Sequence, residues 1–150
     1  MAYKGYCVID AHCHIYPDKI ASRAVAGTDG FYGIDSSCKG TVDDLLEVGD
    51  SVGIDGYIVQ SVATTPHQVE SINRFIAESV SKSGGRFTGF GTMHPDSEDM
   101  KADVDEIIAL GLKGVKLHPD FQKFYIDGED AEKIYKIVGD RLPILFHTGD

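Results

Sequence analysis

The stretch Tyr6-Cys7-Val8-Ile9-Asp10-Ala11-His12-Cys13-His14 decides how the rest of the chain is read. Its first four residues form a short apolar run of the kind that becomes a buried strand, and polar imidazole side chains follow directly. Alternate residues of an extended chain point the same way, so His12 and His14 share a face while Cys13 points to the other. Asp10 has the parity of the two histidines, where it would orient one ring as an acceptor or contact what the rings hold.

Outward from this stretch, short apolar runs alternate with longer amphipathic ones. Ile15 to Gly40 carries Pro17, Gly27, Gly30 and Gly33 and reads as a loop holding at most a short helix. Thr41, with Asp44 three residues later, starts a first helix over Val42 to Ser51. Ile54 to Val62 is rich in β-branched residues and forms a second strand. Pro66 opens a second helix whose stripe is Val69, Ile72, Phe75, Ile76 and Val80, ended by Gly84-Gly85. Phe87 to Met93 is the third strand, Ser97 to Leu110 the third helix, and Val115-Lys116-Leu117 the fourth strand. A loop with Phe121, Phe124 and Tyr125 leads to a fourth helix from Glu129 to Val138, and Pro143 to His147 is the fifth strand. Five strands alternating with four helices, with no domain boundary, indicate an α/β parallel sheet.

Charge and composition narrow the function classes. The chain has 24 Asp and Glu against 14 Lys and Arg, a formal charge of −10, which repels nucleic acid and anionic membranes. No apolar run reaches membrane-spanning length, and Met-Ala-Tyr-Lys-Gly leads into a strand rather than a signal peptide. The three cysteines, Cys7, Cys13 and Cys38, fit neither a disulfide framework nor a thiolate zinc knuckle. Cys7 and Cys13 read as small buried residues. The expectation is a cytoplasmic protein with a small-molecule substrate, no nucleic-acid or membrane partner, and scope for a homo-oligomer.

All six histidines fall at or just past the carboxyl end of an expected strand: His12, His14, His67, His94, His118 and His147. In parallel α/β folds that edge is where sites are built. Two imidazoles on one face suit a divalent ion, zinc first, and His147 on the same edge adds a third. Isolated His-x-His pairs are more often ordinary turn histidines, so the reading leans on this context. Lys116 shares parity with His118 and points into the barrel beneath it. A lysine there would pair with a carboxylate such as Asp10, bind an acidic substrate, be carboxylated as a metal ligand, or form a buried ion pair without chemistry. His94-Pro95 reads as a strand stop, His67 as solvated, and the acidic residues Asp96 to Asp99 as a helix start. Tyr16, Phe31 and Tyr32 would form a lid or simply pack the long first loop.

Three ordered motifs, Val8 to His14, Gly114-Val115-Lys116-Leu117-His118-Pro119 and Pro143-Ile144-Leu145-Phe146-His147-Thr148-Gly149, resemble the amidohydrolase superfamily. More narrowly, the chain is similar to the amidohydrolase-related branch of metal-dependent TIM-barrel hydrolases that also contains aminocarboxymuconate semialdehyde decarboxylase. The resemblance implies a (β/α)8 barrel of which residues 1–150 are the N-terminal part, with His12, His14 and His147 as metal ligands. It places Lys116 near a lysine that is carboxylated in other subgroups, and His118 against substrate or a second ion. It also implies a histidine after a sixth strand and a proton-moving aspartate after an eighth. A complete barrel takes about 250 residues, so the natural protein is expected to continue beyond Asp150.

The activity this implies is hydrolysis of a C–N or C–O bond in a small carbonyl substrate through a metal-activated water, with Lys116 and His118 positioning the substrate. The same site would serve a decarboxylase. A TatD-type nuclease or phosphoesterase also opens with His-x-His, against which stands the negative charge, and a metal-binding fragment without catalysis is the remaining alternative.

Overall fold

The structure, a computed structural model, describes residues 5–148; the Met1 to Lys4 lead-in and Gly149 and Asp150 lie outside the described residues. The chain runs β1 (Ile9–His14), α1 (Asp18–Tyr32), α2 (Val42–Val52), β2 (Gly56–Gln60), a 3-10 turn (Pro66–Gln68), α3 (Val69–Lys82), β3 (Phe87–Gly89), β4 (Gly91–Thr92), α4 (Met100–Ala109), β5 (Val115–Leu117), α5 (Pro119–Gln122), α6 (Glu129–Val138) and β6 (Ile144–Phe146). Every strand pairing is parallel, and the strands neighbour one another in chain order, β1-β2-β3 and β4-β5-β6. A doubly wound sheet reverses its order at a switch point; this one winds in a single direction, as a barrel does.

The expected third strand is broken at Phe90 because its two halves bond opposite neighbours. Phe90 N–H donates to Val59 O at 2.9 Å on one side, and Gly91 N–H donates to Gly114 O at 2.9 Å on the other. At its end the Asn73 amide takes the place of a strand, accepting from Thr92 N–H at 2.7 Å and donating to Thr92 O at 3.1 Å.

Four expectations need correction. The first strand is Ile9–His14, so the His-x-His motif lies within it rather than after it. Pairing with β2 gains an extra residue between Asp10 and Cys13, a bulge closed by the Asp10 carboxylate on His12 N–H at 3.1 Å. The expected loop after it is mostly α1, fifteen residues long. Gly27 and Gly30 cost that helix about 1 kcal/mol each relative to Ala, and tertiary contacts offset the loss: Ala21 is buried and Phe31 meets Phe121 edge-on at 4.7 Å. Gly33, at φ 65°, stops it. The loop after β5 likewise contains α5, started by Pro119. Cys7 is exposed, not buried, whereas Cys13 is buried as its parity requires.

Other helix starts agree with the sequence. Thr41 accepts from Asp44 N–H at 3.2 Å, and Asp99, inside the acidic cluster, accepts from Ala102 N–H at 2.9 Å. No helix among the described residues is long and apolar enough to cross a membrane.

The core lies between the sheet's outer face and the helices, where Val59, Val115 and Leu117 join Ile76, Val104, Ile107, Ile134 and Val138. Gly89 lets α3 approach: a Cβ there would stand 2.7–2.9 Å from Leu112, Val80 and Ile76. Ile76 and Leu112 are buried and Val80 is partly buried, so the three cannot all yield, and Gly89→Ala is expected to destabilise by about 1–3 kcal/mol. Urea unfolding checks this, and an unchanged midpoint would show that the wall gives way.

Candidate functional site

Alternation along β5 sends Val115 and Leu117 into the helix-facing core and Lys116 to the opposite, inner face. His118 has the same parity and caps α5. Its N–H donates to Gln122 Oε1 at 2.9 Å, and its Nδ1 accepts from Phe121 N–H at 3.4 Å. Gln122 in turn donates to Ala63 O at 3.0 Å and Met93 O at 2.6 Å, tying the ends of three neighbouring strand segments together beneath His118. Nothing in its local sequence marks this glutamine, because its partners are backbone carbonyls brought in from elsewhere in the chain.

His12 and His14 converge, with their Nε2 atoms 3.2 Å apart. Two nitrogens each about 2.1 Å from one tetrahedral ion would stand roughly 3.4 Å apart, so the pair fits a shared metal. Both rings favour the neutral, ligating form: burial first, then the Lys116 charge, lowers His12, and burial with the neighbouring His12 and Lys116 charges lowers His14 to about 3. Asp10 meets the His12 backbone N–H rather than a ring.

His147 sits on the same edge but in a second group. Its ring stacks on His118 with centroids 4.2 Å apart and planes within 8°, and Phe121 covers His118 at 3.9 Å. The Tyr32 hydroxyl, at the end of α1, bridges the two histidines, 2.8 Å from His118 Nε2 and 2.9 Å from His147 Nε2. Among the described residues no three His, Cys, Asp or Glu side chains come together as a metal-holding set. The contact with Tyr32 engages the nitrogen that His147 would offer. Tyr32 is the residue that the sequence left undecided between a lid and packing.

Lys116 is fully buried, and its Nζ has no hydrogen-bond partner among the described residues, so the pairing with Asp10 is not made. Burial lowers its pKa from 10.5 to about 8, which leaves it cationic at neutral pH. Burial, with the charges of His147 and Lys116, lowers His118 to about 4. Gln60, paired in register with His14, is a second buried group whose amide atoms are both unpartnered among the described residues. His94 Nδ1 accepts from Asp96 N–H at 3.1 Å, a turn contact that suits a strand stop, and His67 is exposed.

A cavity of about 290 Å³ lies beside this region, lined by residues that include Thr64, His94, Phe121, Gln122 and Asp130. It touches the histidine region through Phe121 and Gln122 but includes neither His12, His14 nor Lys116. The converging ring nitrogens and the buried ammonium, rather than this cavity, mark the chemistry.

The Amidohydrolase family model matches residues 9–149. No curated protein matches the chain. Among solved structures, 5-carboxyvanillate decarboxylase from Novosphingobium aromaticivorans, with bound manganese and 3-methoxy-4-hydroxy-5-nitrobenzoic acid, is similar at 20% identity and a TM-score of 0.74, over 96% of this chain and 51% of that one. IDCase from Metarhizium anisopliae is similar at 20% identity and 0.71, over 98% and 52%, and an amidohydrolase from Staphylococcus aureus, described as putative, at 16% and 0.68, over 95% and 47%. The chain thus spans about half the length of these structures. Its parallel strands match part of the TIM-barrel fold of these structures, and with the family model matched over nearly all its residues, this chain belongs to the amidohydrolase family.

Proposed function

We propose that this chain provides the metal-holding and substrate-holding edge of a metal-dependent enzyme whose substrate is a small carboxylic acid, and that the reaction is decarboxylation. The observation that carries this reading is the Lys116 ammonium, buried and without a partner among the described residues. An uncompensated buried charge costs several kcal/mol, and a substrate carboxylate beside it offsets that cost.

His12 and His14 would hold the ion, with His147 as the third ligand. An all-imidazole set suits zinc, and the manganese in the similar decarboxylase supports testing both metals. When bound, the ion supplies Lewis-acid polarisation of a substrate oxygen. Lys116 draws the carboxylate into the inner face and orients it, while His118, fixed by Phe121 and Gln122, closes the other side of the site. In decarboxylation the C–C bond breaks with its electron pair left on the substrate, carbon dioxide departs, and a proton takes its place. Asp10, the carboxylate of the first motif, is committed to the His12 N–H. The similar decarboxylase with bound manganese supports decarboxylation over attack by water.

Hydrolysis of a C–N or C–O bond is the second reading, favoured by the neutral imidazoles, which can accept a proton from water. Loaded with manganese or zinc and offered hydroxybenzoic acids, lactones and single-stranded DNA, the full chain is expected to release carbon dioxide from the acids alone. Lactone cleavage without carbon dioxide would select hydrolysis, DNA cleavage the nuclease, and metal binding without turnover a non-catalytic module.

His12→Ala and His14→Ala should each weaken metal binding by more than the ~10–100-fold that loss of an outer partner costs, measured by calorimetry. Lys116→Met should have effects of opposite sign on folding and binding: stability rises by about 1–4 kcal/mol, while binding of the acidic substrate is lost. The unfolded lysine keeps its proton to 10.5 and the folded one to about 8, so between these values the unfolded state binds more protons and native stability rises with pH. Lys116→Met should flatten that slope, which denaturant titration across the window reads directly.

A further inference from the structure

The candidate site is divided between the two sheets. His12 and His14 lie on β1, in the sheet β1-β2-β3, whereas Lys116 lies on β5 and His118 at its end, in the sheet β4-β5-β6. The last backbone hydrogen bond between β2 and the run from β3 to β4 is Phe90 N–H to Val59 O, at 2.9 Å. Beyond it, among the described residues, side chains make the hydrogen bonds across the gap. Asn73 holds both backbone groups of Thr92, and the Thr92 hydroxyl accepts from Ala63 N–H at 3.2 Å. Gln122 donates to Ala63 O at 3.0 Å and to Met93 O at 2.6 Å.

Gln122 reaches both sheets from α5. It is buried, and its carboxamide is spent on three backbone groups: Oε1 accepts from His118 N–H at 2.9 Å, and the two Nε2 protons go to Ala63 O, just beyond β2, and Met93 O, just beyond β4. A backbone N–H can only donate and a carbonyl can only accept, so these partners fix which end of the amide is which. We propose that Gln122 is a positioning residue that sets the metal-holding half of the site, on β1 and β2, against the acid-holding half, Lys116 and His118. It touches neither ion nor acid, and the inference rests on the metal and acid reading above. The backbone ladder cannot do this work at the site, because it leaves β2 at Val59, below Gln60 and its register partner His14.

The test reads the linkage between the two halves in the full chain, by calorimetry of zinc with and without 2-hydroxybenzoate. An ion and an acid held in one geometry tighten each other's binding by the same factor, expected at about tenfold. Gln122→Met keeps the length of the side chain and removes its three hydrogen bonds. Zinc alone should bind this variant within about twofold of the unmodified chain, as a distant, independent change allows, while the mutual factor falls towards one. The same mutual factor in both proteins, or zinc alone bound more weakly by Gln122→Met, overturns the positioning role and leaves the metal reading standing. Zinc binding by neither protein, or zinc and acid affinities that are independent in the unmodified chain, overturns the metal and acid reading and the inference with it. Side-chain amide exchange on the unmodified chain needs no variant and decides the matter if Gln122→Met does not fold. The Gln122 Nε2 protons should exchange as slowly as the backbone amides of β5, with and without zinc and acid. Exchange at the rate of an exposed carboxamide overturns the proposal.

Discussion

Alternation over a few residues of β5 is the constraint on which the site depends. Val115 and Leu117 are sealed into the core against the helices, so Lys116 and His118 have no choice but the inner face. Relieving the lysine would mean shifting the strand by one residue, and that would expose the two apolar side chains. The fold therefore holds an ammonium in a place where burial opposes its charge, and the site takes its electrostatic character from that imposition.

The imidazoles respond to the same field. Burial and the Lys116 charge both favour neutral His12, His14 and His118, so a chain with a formal charge of −10 presents a local edge of lone pairs around one cation. Carboxylates, plentiful elsewhere, are engaged in caps and surface pairs such as Glu70 with Arg74 and Asp105 with Arg141. That division leaves the inner face suited to receive an anion from outside.

The sequence showed the strand and helix alternation because periodicity and breakers are local properties. It misplaced β1 because a bulge is a property of pairing: the extra residue between Asp10 and Cys13 exists only relative to β2. It missed α1 because Gly27 and Gly30 argue against a helix locally, and what outweighs them, Phe31 on Phe121 and Tyr32 on two histidines, lies more than eighty residues away. Gln122 was invisible for a related reason, since a glutamine bonded to carbonyls of distant strands leaves no spacing to detect.

By itself the sequence determined which side chains reach the strand ends and on which face they stand. Parity and strand order follow from covalent geometry and hydrophobic pattern, and they place His12 beside His14 and Lys116 beneath His118. Tertiary structure alone decided how those groups are partnered. It left Lys116 without a counter-charge among the described residues, spent Asp10 on a backbone N–H, and set Tyr32 between His118 and His147. Hydrogen bonds depend on distances of a few tenths of an ångström between residues remote in the chain, and only packing sets those distances.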